Sequence, residues 1–294
     1  MRRQTDMPAT PQLSFEFFPP KNDKQLESFE RARDRLAALR PAYMSVTFGA
    51  GGSTRSRTRE TVLDIQRETG IPAAPHISCM SEDTDGIREL LDAYREAGVA
   101  RLVVLRGDRP SGGGSGVFDH AVDLVRFVRQ HYADTFEIEI ACYPEHHPES
   151  KTPQSDLRHF KEKVDAGADG AITQYFFNFE AYARFMDDCG RLGITIPITP
   201  GIMPITNYSS LARFSNMCGA DLPSWIAKRI EAWEKVEDFA SIRAFGEEVV
   251  TRLCRKLLDA GAPGIHFYTL NRAQPTLALC ANLGWADVGG ACVA

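Results

Sequence analysis

Leu13-Ser-Phe-Glu-Phe-Phe-Pro-Pro20 places one carboxylate, Glu16, inside a short apolar run closed by two prolines. A run of this kind between breakers reads as a strand buried on both faces, as in a parallel sheet. A charge there is costly without a partner. Glu16 is therefore paired, protonated at a raised pKa, or set at the mouth of a cavity where its proton is used. A hydrogen-bonded structural glutamate is the plain alternative.

Outward from this strand, helical spacing over 25–40 carries Leu26, Phe29, Ala32, Leu36 and Leu39 on one face. The alternation then repeats. Strands are predicted at 43–48, 73–79, 101–107, 137–143, 170–177, 196–202 and 264–269, the seventh of the series broken by proline. Helices are predicted at 57–69, 85–97, 119–132, 153–166, 179–192, 208–218 and 275–283, with Gly70, Gly98, Gly167 and Gly193 as stops. Residues 222–260 read as two further helices meeting near Glu237. Strand–helix units at a period of roughly 30 residues, with one helical insertion before the last strand, predict a (β/α)8 TIM barrel. A doubly wound sheet would need a glycine fingerprint in its first turn, where Pro19–Pro20 stand instead. Residues 1–12 are expected to form a flexible tail and 13–294 a single catalytic domain.

The 294 residues are 43% hydrophobic and 25% charged, which supplies ample core material and argues against disorder. A net charge of −5 without long basic runs argues against nucleic acid and anionic membranes as partners. No apolar run approaches the ~20 residues of a membrane span, and the segment 1–12 lacks the apolar region of a signal peptide. Seven cysteines, odd in number and never in a CxxC pair, suit a reducing compartment, so a cytoplasmic address is expected. A small-molecule substrate and a homo-oligomer complete these expectations.

In a barrel, chemistry is built at the carboxyl ends of the strands. Those ends hold Glu16, Thr47, His76 with Ser78, Arg106 with Asp108, Tyr143 with Glu145 and His147, Gln174 with Tyr175, and His266 with Tyr268 and Arg272. Packing alone does not explain so many polar ends; a large polar ligand does. No metal is expected, because the His-x-His strand end of barrel metallohydrolases is absent. No GxSxG elbow and no strand lysine supply a nucleophile. The stretch Ser111–Gly116, SGGGSG, lacks the lysine of a phosphate cradle and reads as a flexible lid.

Taken together, SFEFFPP at 14–20, SVTFGAGG at 45–52, APHISC at 74–79, LRGD at 105–108, YPEHHPES at 143–150, KVDAGADGAITQYFF at 163–177, PGIMPI at 200–205 and HFYTLNRA at 266–273 resemble the methylenetetrahydrofolate reductase family. The resemblance implies FAD at the carboxyl face, NADH or NADPH as reductant, and a folate taking turns with the nicotinamide at the flavin. It implies that Glu16 is the general acid that opens the imidazolidine ring, and that Asp108 lies beside flavin and pterin. It assigns FAD binding to Thr47, Phe48, His76, Arg106, Gly107, Asp108, Ala121, Tyr143, His147, Ser150, Asp156 and Lys163. Substrate contacts fall to Asp108, Gln174, Tyr182, Phe214 and Arg272. For Glu16, the flanking phenylalanines are expected to desolvate the carboxyl and raise its pKa. The other readings are a flavin barrel acting on another amine such as proline, and a silent barrel that binds folate or flavin.

Overall fold

The computed structural model describes residues 10–48, 52–79, 83–107 and 116–285. Its strands are β1 (Gln12–Phe17), β2 (Tyr43–Val46), β3 (Ala73–Ser78), β4 (Arg101–Leu105), β5 (Glu137–Cys142), β6 (Gly170–Thr173), β7 (Ile198–Thr199), β8 (Gly201–Ile202) and β9 (Gly264–Tyr268). The helices are α1 (Asp23–Ala37), α2 (Gly52–Thr69), α3 (Thr84–Glu96), α4 (Ala121–Tyr132), α5 (Pro153–Asp165), α6 (Phe179–Arg191), α7 (Tyr208–Cys218), α8 (Ser224–Lys235), α9 (Phe239–Asp259) and α10 (Ala273–Asn282). All pairings are parallel, in the order β7-β6-β5-β4-β3-β2-β1-β9-β8.

β7 and β8 are two halves of one barrel strand, parted at Pro200. The first half pairs with β6 and the second with β9, so the ring closes across the proline. Proline removes a ladder donor, and its carbonyl is used instead to accept the His266 N–H at 3.0 Å. Gly201 fits here because a Cβ would fall 2.2 Å from the Thr173 carbonyl oxygen. The predicted barrel is thus present, with its broken seventh strand. The helical insertion is α8 and α9, and Glu237 between them has φ +56°, where the expected junction lies. β1 starts at Gln12, one residue inside the expected tail, with Gln12 N–H donating to the Pro263 carbonyl.

Successive side chains of β1 point to opposite faces. Phe15 and Phe17 are fully buried between strands and helices, where Phe17 meets Phe29 of α1 edge-on at 5.4 Å and Phe15 stacks near Phe267 at 6.3 Å. Ser14 and Glu16 therefore face the barrel interior. There a small apolar group of Tyr43, Ala74, Val103 and Ile172 separates two polar layers. The lower layer is an ion pair of Arg101 with Glu137 and Glu139, and the Arg101 guanidinium lies 4.6 Å from the centre of the Tyr43 ring.

Candidate active site

The upper polar layer holds Glu16, His76 and His266. The His76 Nε2 stands 3.3 Å from the Glu16 carboxylate and the His266 Nε2 stands 3.7 Å from it. Ser14 Oγ lies 2.8 Å from His266 Nδ1, so the serine hydroxyl orients that ring from below. Burial alone raises the Glu16 carboxyl. The charge of His76 and hydrogen bonding from His266 and His76 outweigh it and hold Glu16 well below the usual carboxylate range, at about 2. The expectation of a raised pKa is corrected here. The phenylalanines that were to desolvate the carboxyl lie on the other face of the strand, and what faces Glu16 is a pair of imidazoles. Burial also pulls the His266 imidazole down, although hydrogen bonding to Glu16 and its charge oppose this.

Above this cluster opens a cavity of about 300 Å³. Glu16, Thr47, His76, Tyr143 and Gln174 supply its polar wall; Val103, Leu105, Ala141, Ile172 and Met203 supply its apolar wall, and Phe214 of α7 closes one side. Tyr268, another wall residue, donates its hydroxyl to the Thr173 carbonyl at 2.7 Å. His76 Nε2 and His266 Nε2 are buried and reach only the Glu16 carboxylate, through long, poorly aligned hydrogen bonds. Two larger cavities adjoin it. One of about 550 Å³ shares Ala141 and Tyr143 with it, and one of about 520 Å³ shares Phe18, Thr47 and Leu270.

On the β4–β5 side the predicted cofactor residues form one network. Asp156, in the first turn of α5, accepts the His147 N–H at 2.9 Å and the Ser150 hydroxyl at 3.2 Å. The Tyr143 ring meets His147 edge-on at 4.7 Å. Lys163 Nζ donates to the Ala141 carbonyl at 2.6 Å, and burial pulls its ammonium down despite Asp156 nearby. Burial likewise lowers His147, with the charges of Arg106 and Lys163 adding to the effect. Arg106 pairs with Glu149 at 2.7 Å, and Gly107 after it has φ +80°, a left-handed turn that glycine adopts without strain. Thr47 and Phe48 follow β2, and the Thr47 carbonyl accepts the Thr58 hydroxyl. Ala121 opens α4.

FAD needs cations for its diphosphate, hydrogen-bonding groups for its ribityl chain and a flat apolar wall for its ring. Arg106 and Lys163, the His147–Ser150–Asp156 network, the two underused imidazole nitrogens and the apolar wall fit that demand.

The structure does not bring every predicted residue to this place. Tyr182 is buried under α6, stacked on Phe176 at 5.5 Å with its hydroxyl directed to the Ile198 carbonyl, and it lines none of the three cavities. Arg272 lines the neighbouring 520 Å³ cavity and not the central one. Asp108 and most of the SGGGSG stretch lie outside the described residues. Two participants escaped the sequence reading. Ser14 has a signal, being the other inward residue of β1, two positions before Glu16. Cys218, which lines the central cavity, had none. Among the described residues no group of three His, Cys, Asp or Glu side chains is arranged to hold a metal, and no helix is long and apolar enough to cross a membrane.

Comparison with known proteins agrees with this arrangement. The family model described as methylenetetrahydrofolate reductase matches residues 1–284. The chain is 39% identical over 272 residues to 5,10-methylenetetrahydrofolate reductase of Escherichia coli, covering 92% of this chain and 90% of that protein. It is 37% identical to the rice protein named probable methylenetetrahydrofolate reductase (NADH), covering 92% of this chain and 48% of that one. Among solved structures, an uncharacterised Clostridium thermocellum protein that binds two copies of 5-methyl-5,6,7,8-tetrahydrofolic acid has a TM-score of 0.63 at 15% identity, covering 93% of this chain and 96% of its own. That likeness speaks to the barrel; the sequence matches speak to descent. The chain belongs to the methylenetetrahydrofolate reductase family.

Proposed function

We propose that this protein reduces 5,10-methylenetetrahydrofolate to 5-methyltetrahydrofolate with NADH or NADPH, through FAD, in two half-reactions that share the central cavity. The observation that carries the reading is the Glu16–His76–His266 cluster at the floor of a cavity with one polar and one apolar wall. FAD, when bound at these residues, would supply the two-electron chemistry that links the nicotinamide to the folate carbon. The residues expected to hold it are Thr47, Phe48, His76, Arg106, Gly107, Ala121, Tyr143, His147, Ser150, Asp156 and Lys163, with Asp108 beside the ring.

The chain's own task is to protonate the folate nitrogen that leaves when the imidazolidine ring opens. Glu16 is held ionised at neutral pH by the facing imidazoles, His76 foremost. A substrate that covers the 12% of its side chain still open removes the remaining water. To act as an acid Glu16 must take up a proton, and a substrate that excludes water from the cluster favours the neutral carboxyl. Gln174 and Phe214, both lining the cavity, would orient the pterin, and the apolar wall would exclude water from the reacting carbon.

The test is direct. Purified protein, supplemented with FAD, is expected to show oxidised-flavin absorbance that bleaches anaerobically with NADH or NADPH and returns on adding methylenetetrahydrofolate. A protein that binds no flavin under these conditions overturns the reading, as does one whose reduced flavin ignores the folate.

A further inference from the structure

We propose that Ser14 is a positioning residue for the acid chemistry of Glu16: its hydroxyl donates to His266 Nδ1 and so holds that imidazole with its hydrogen on Nε2, facing the carboxylate. An Nε2 that carries a hydrogen has no lone pair to offer. The proton that Glu16 takes up therefore does not pass down to His266 and stays on the side of the substrate. The proposal rests on the folate-reductase reading above.

Strand register sets these groups side by side. Ser14 of β1 is aligned with Tyr43 of β2 on one side and with His266 of β9 on the other. Residues paired across neighbouring strands leave the sheet on the same face, so all three side chains enter the barrel at one height, below Glu16. Two phenols clamp the His266 ring: Tyr43 stacks on it at 5.9 Å with 24° between the planes, and Tyr268 meets it edge-on at 5.4 Å. The clamp fixes the plane of the imidazole but not which nitrogen carries the hydrogen. That choice falls to the groups at its two nitrogens, Ser14 Oγ at 2.8 Å from Nδ1 and the Glu16 carboxylate at 3.7 Å from Nε2.

With the hydrogen on Nδ1, Nε2 would aim a lone pair at the carboxylate in a fully buried place with little solvent to screen the repulsion. With the hydrogen on Nε2 the same approach is attractive, and the Ser14 hydroxyl finds its acceptor at Nδ1. A doubly protonated ring is disfavoured, since burial pulls His266 down although hydrogen bonding to Glu16 and its charge oppose this. The two histidines then differ in task. His266 is fully buried and lines none of the three cavities, whereas His76 lines the central one, so His266 acts only through Glu16. The other titratable groups at this level are Tyr43 and Tyr268, whose hydroxyls burial pushes up and keeps neutral. Arg101 of β4 and Glu139 of β5 lie one layer lower, paired with each other.

The test reads the ring first and its effect second. Long-range proton–nitrogen spectra of the FAD-loaded protein with isotope-labelled histidine, in which His266→Gln identifies the His266 signals, are expected to show a neutral ring with its hydrogen on Nε2 between about pH 6 and 9. In stopped-flow measurements Ser14→Ala is expected to move the pH limb of the folate half-reaction up by about half to one pH unit, because Glu16 loses part of the donation that favours its charge. The pH profile of flavin reduction by the nicotinamide is expected to stay in place. Ser14→Thr, which keeps a hydroxyl at the same strand position, is expected to restore the wild-type limb. A hydrogen on Nδ1 in the wild type overturns the proposal even where a variant fails to fold. So does a Ser14→Ala profile that moves equally in both half-reactions, or in neither. A wild type whose reduced flavin ignores the folate overturns the folate-reductase reading instead, and the nitrogen spectra still decide whether Ser14 holds the ring.

Discussion

Across the interior of the barrel, the His76 imidazole of β3 stands 3.3 Å from the Glu16 carboxylate of β1, one strand away from being a ladder neighbour. The two residues meet because both point inward at the same height of a twisted ring, with Ser45 of β2 between them in register with Glu16. This pairing decides the protonation of the site, and it leads to the first prediction. Glu16→Gln is expected to leave flavin reduction by the nicotinamide nearly intact and to slow transfer to methylenetetrahydrofolate by at least ~10²-fold in stopped-flow measurements. Equal loss in the two half-reactions would make Glu16 a structural residue.

Acid stability carries the same signature. Glu16 has a folded pKa of about 2 against an ordinary value of 4.5, so its contribution is fully present above about 4.5 and is lost as pH falls through about 2. His266 is also depressed, from an ordinary 6.5. The unfolded chain therefore takes up a proton below that value which the folded protein resists, and stability falls there too. Denaturant midpoints are expected to decline below pH 6.5 and more steeply below 4.5. Glu16→Gln should flatten the lower limb; an unchanged profile in that variant would count against the ion pair.

The lower polar layer predicts a stability loss with no direct chemical role. Glu139 is buried and its carboxyl is raised by burial in spite of Arg101, its closest compensating charge. Arg101→Met strands that carboxyl and is expected to cost about 3–5 kcal/mol in urea unfolding. Adding Glu139→Gln should recover part of the loss, whereas a single variant as stable as the wild type would mean that the pair does little.

At the broken strand, Gly201→Ala would drive a Cβ to 2.2 Å from the Thr173 carbonyl oxygen and 2.6 Å from the Tyr268 ring. Overpacking of this kind costs typically about 1–3 kcal/mol, and here the atoms that must yield include a wall of the central cavity. A lower melting temperature together with weaker flavin retention on gel filtration is expected. Retention equal to wild type would show that Tyr268 moves without consequence.

These outcomes separate what the sequence made legible from what it did not. The barrel was readable because strands buried on both faces give continuous apolar runs, and because Pro200 and the turn at Glu237 leave marks in the chain. The placement of Glu16 at a strand end followed from the same pattern. Its charge state did not, since the period of a strand tells which way a side chain points but not what comes to meet it across the ring. Phe15 and Phe17 are adjacent to Glu16 in sequence and face away from it; His266 is 250 positions later in the chain and faces it. Tyr182 lies away from the central cavity for a related reason, because its helical face, turned to Phe176 and Ile198, is fixed by packing that a motif does not encode.

The seam between the first and last strands is joined by side-chain bonds: Ser14 to His266, the Thr269 hydroxyl to the Glu16 carbonyl at 2.6 Å, and Asn271 to Phe18. Its partners stand 252 or 253 residues apart. During synthesis, Glu16 leaves the ribosome well ahead of the histidine, threonine and asparagine that set its surroundings. A nascent chain stopped short of that strand lacks His266 and the Asn271 wall however well its first helices have packed. The surroundings of the Glu16 carboxylate are therefore assembled only when the first and last strands of the ring meet.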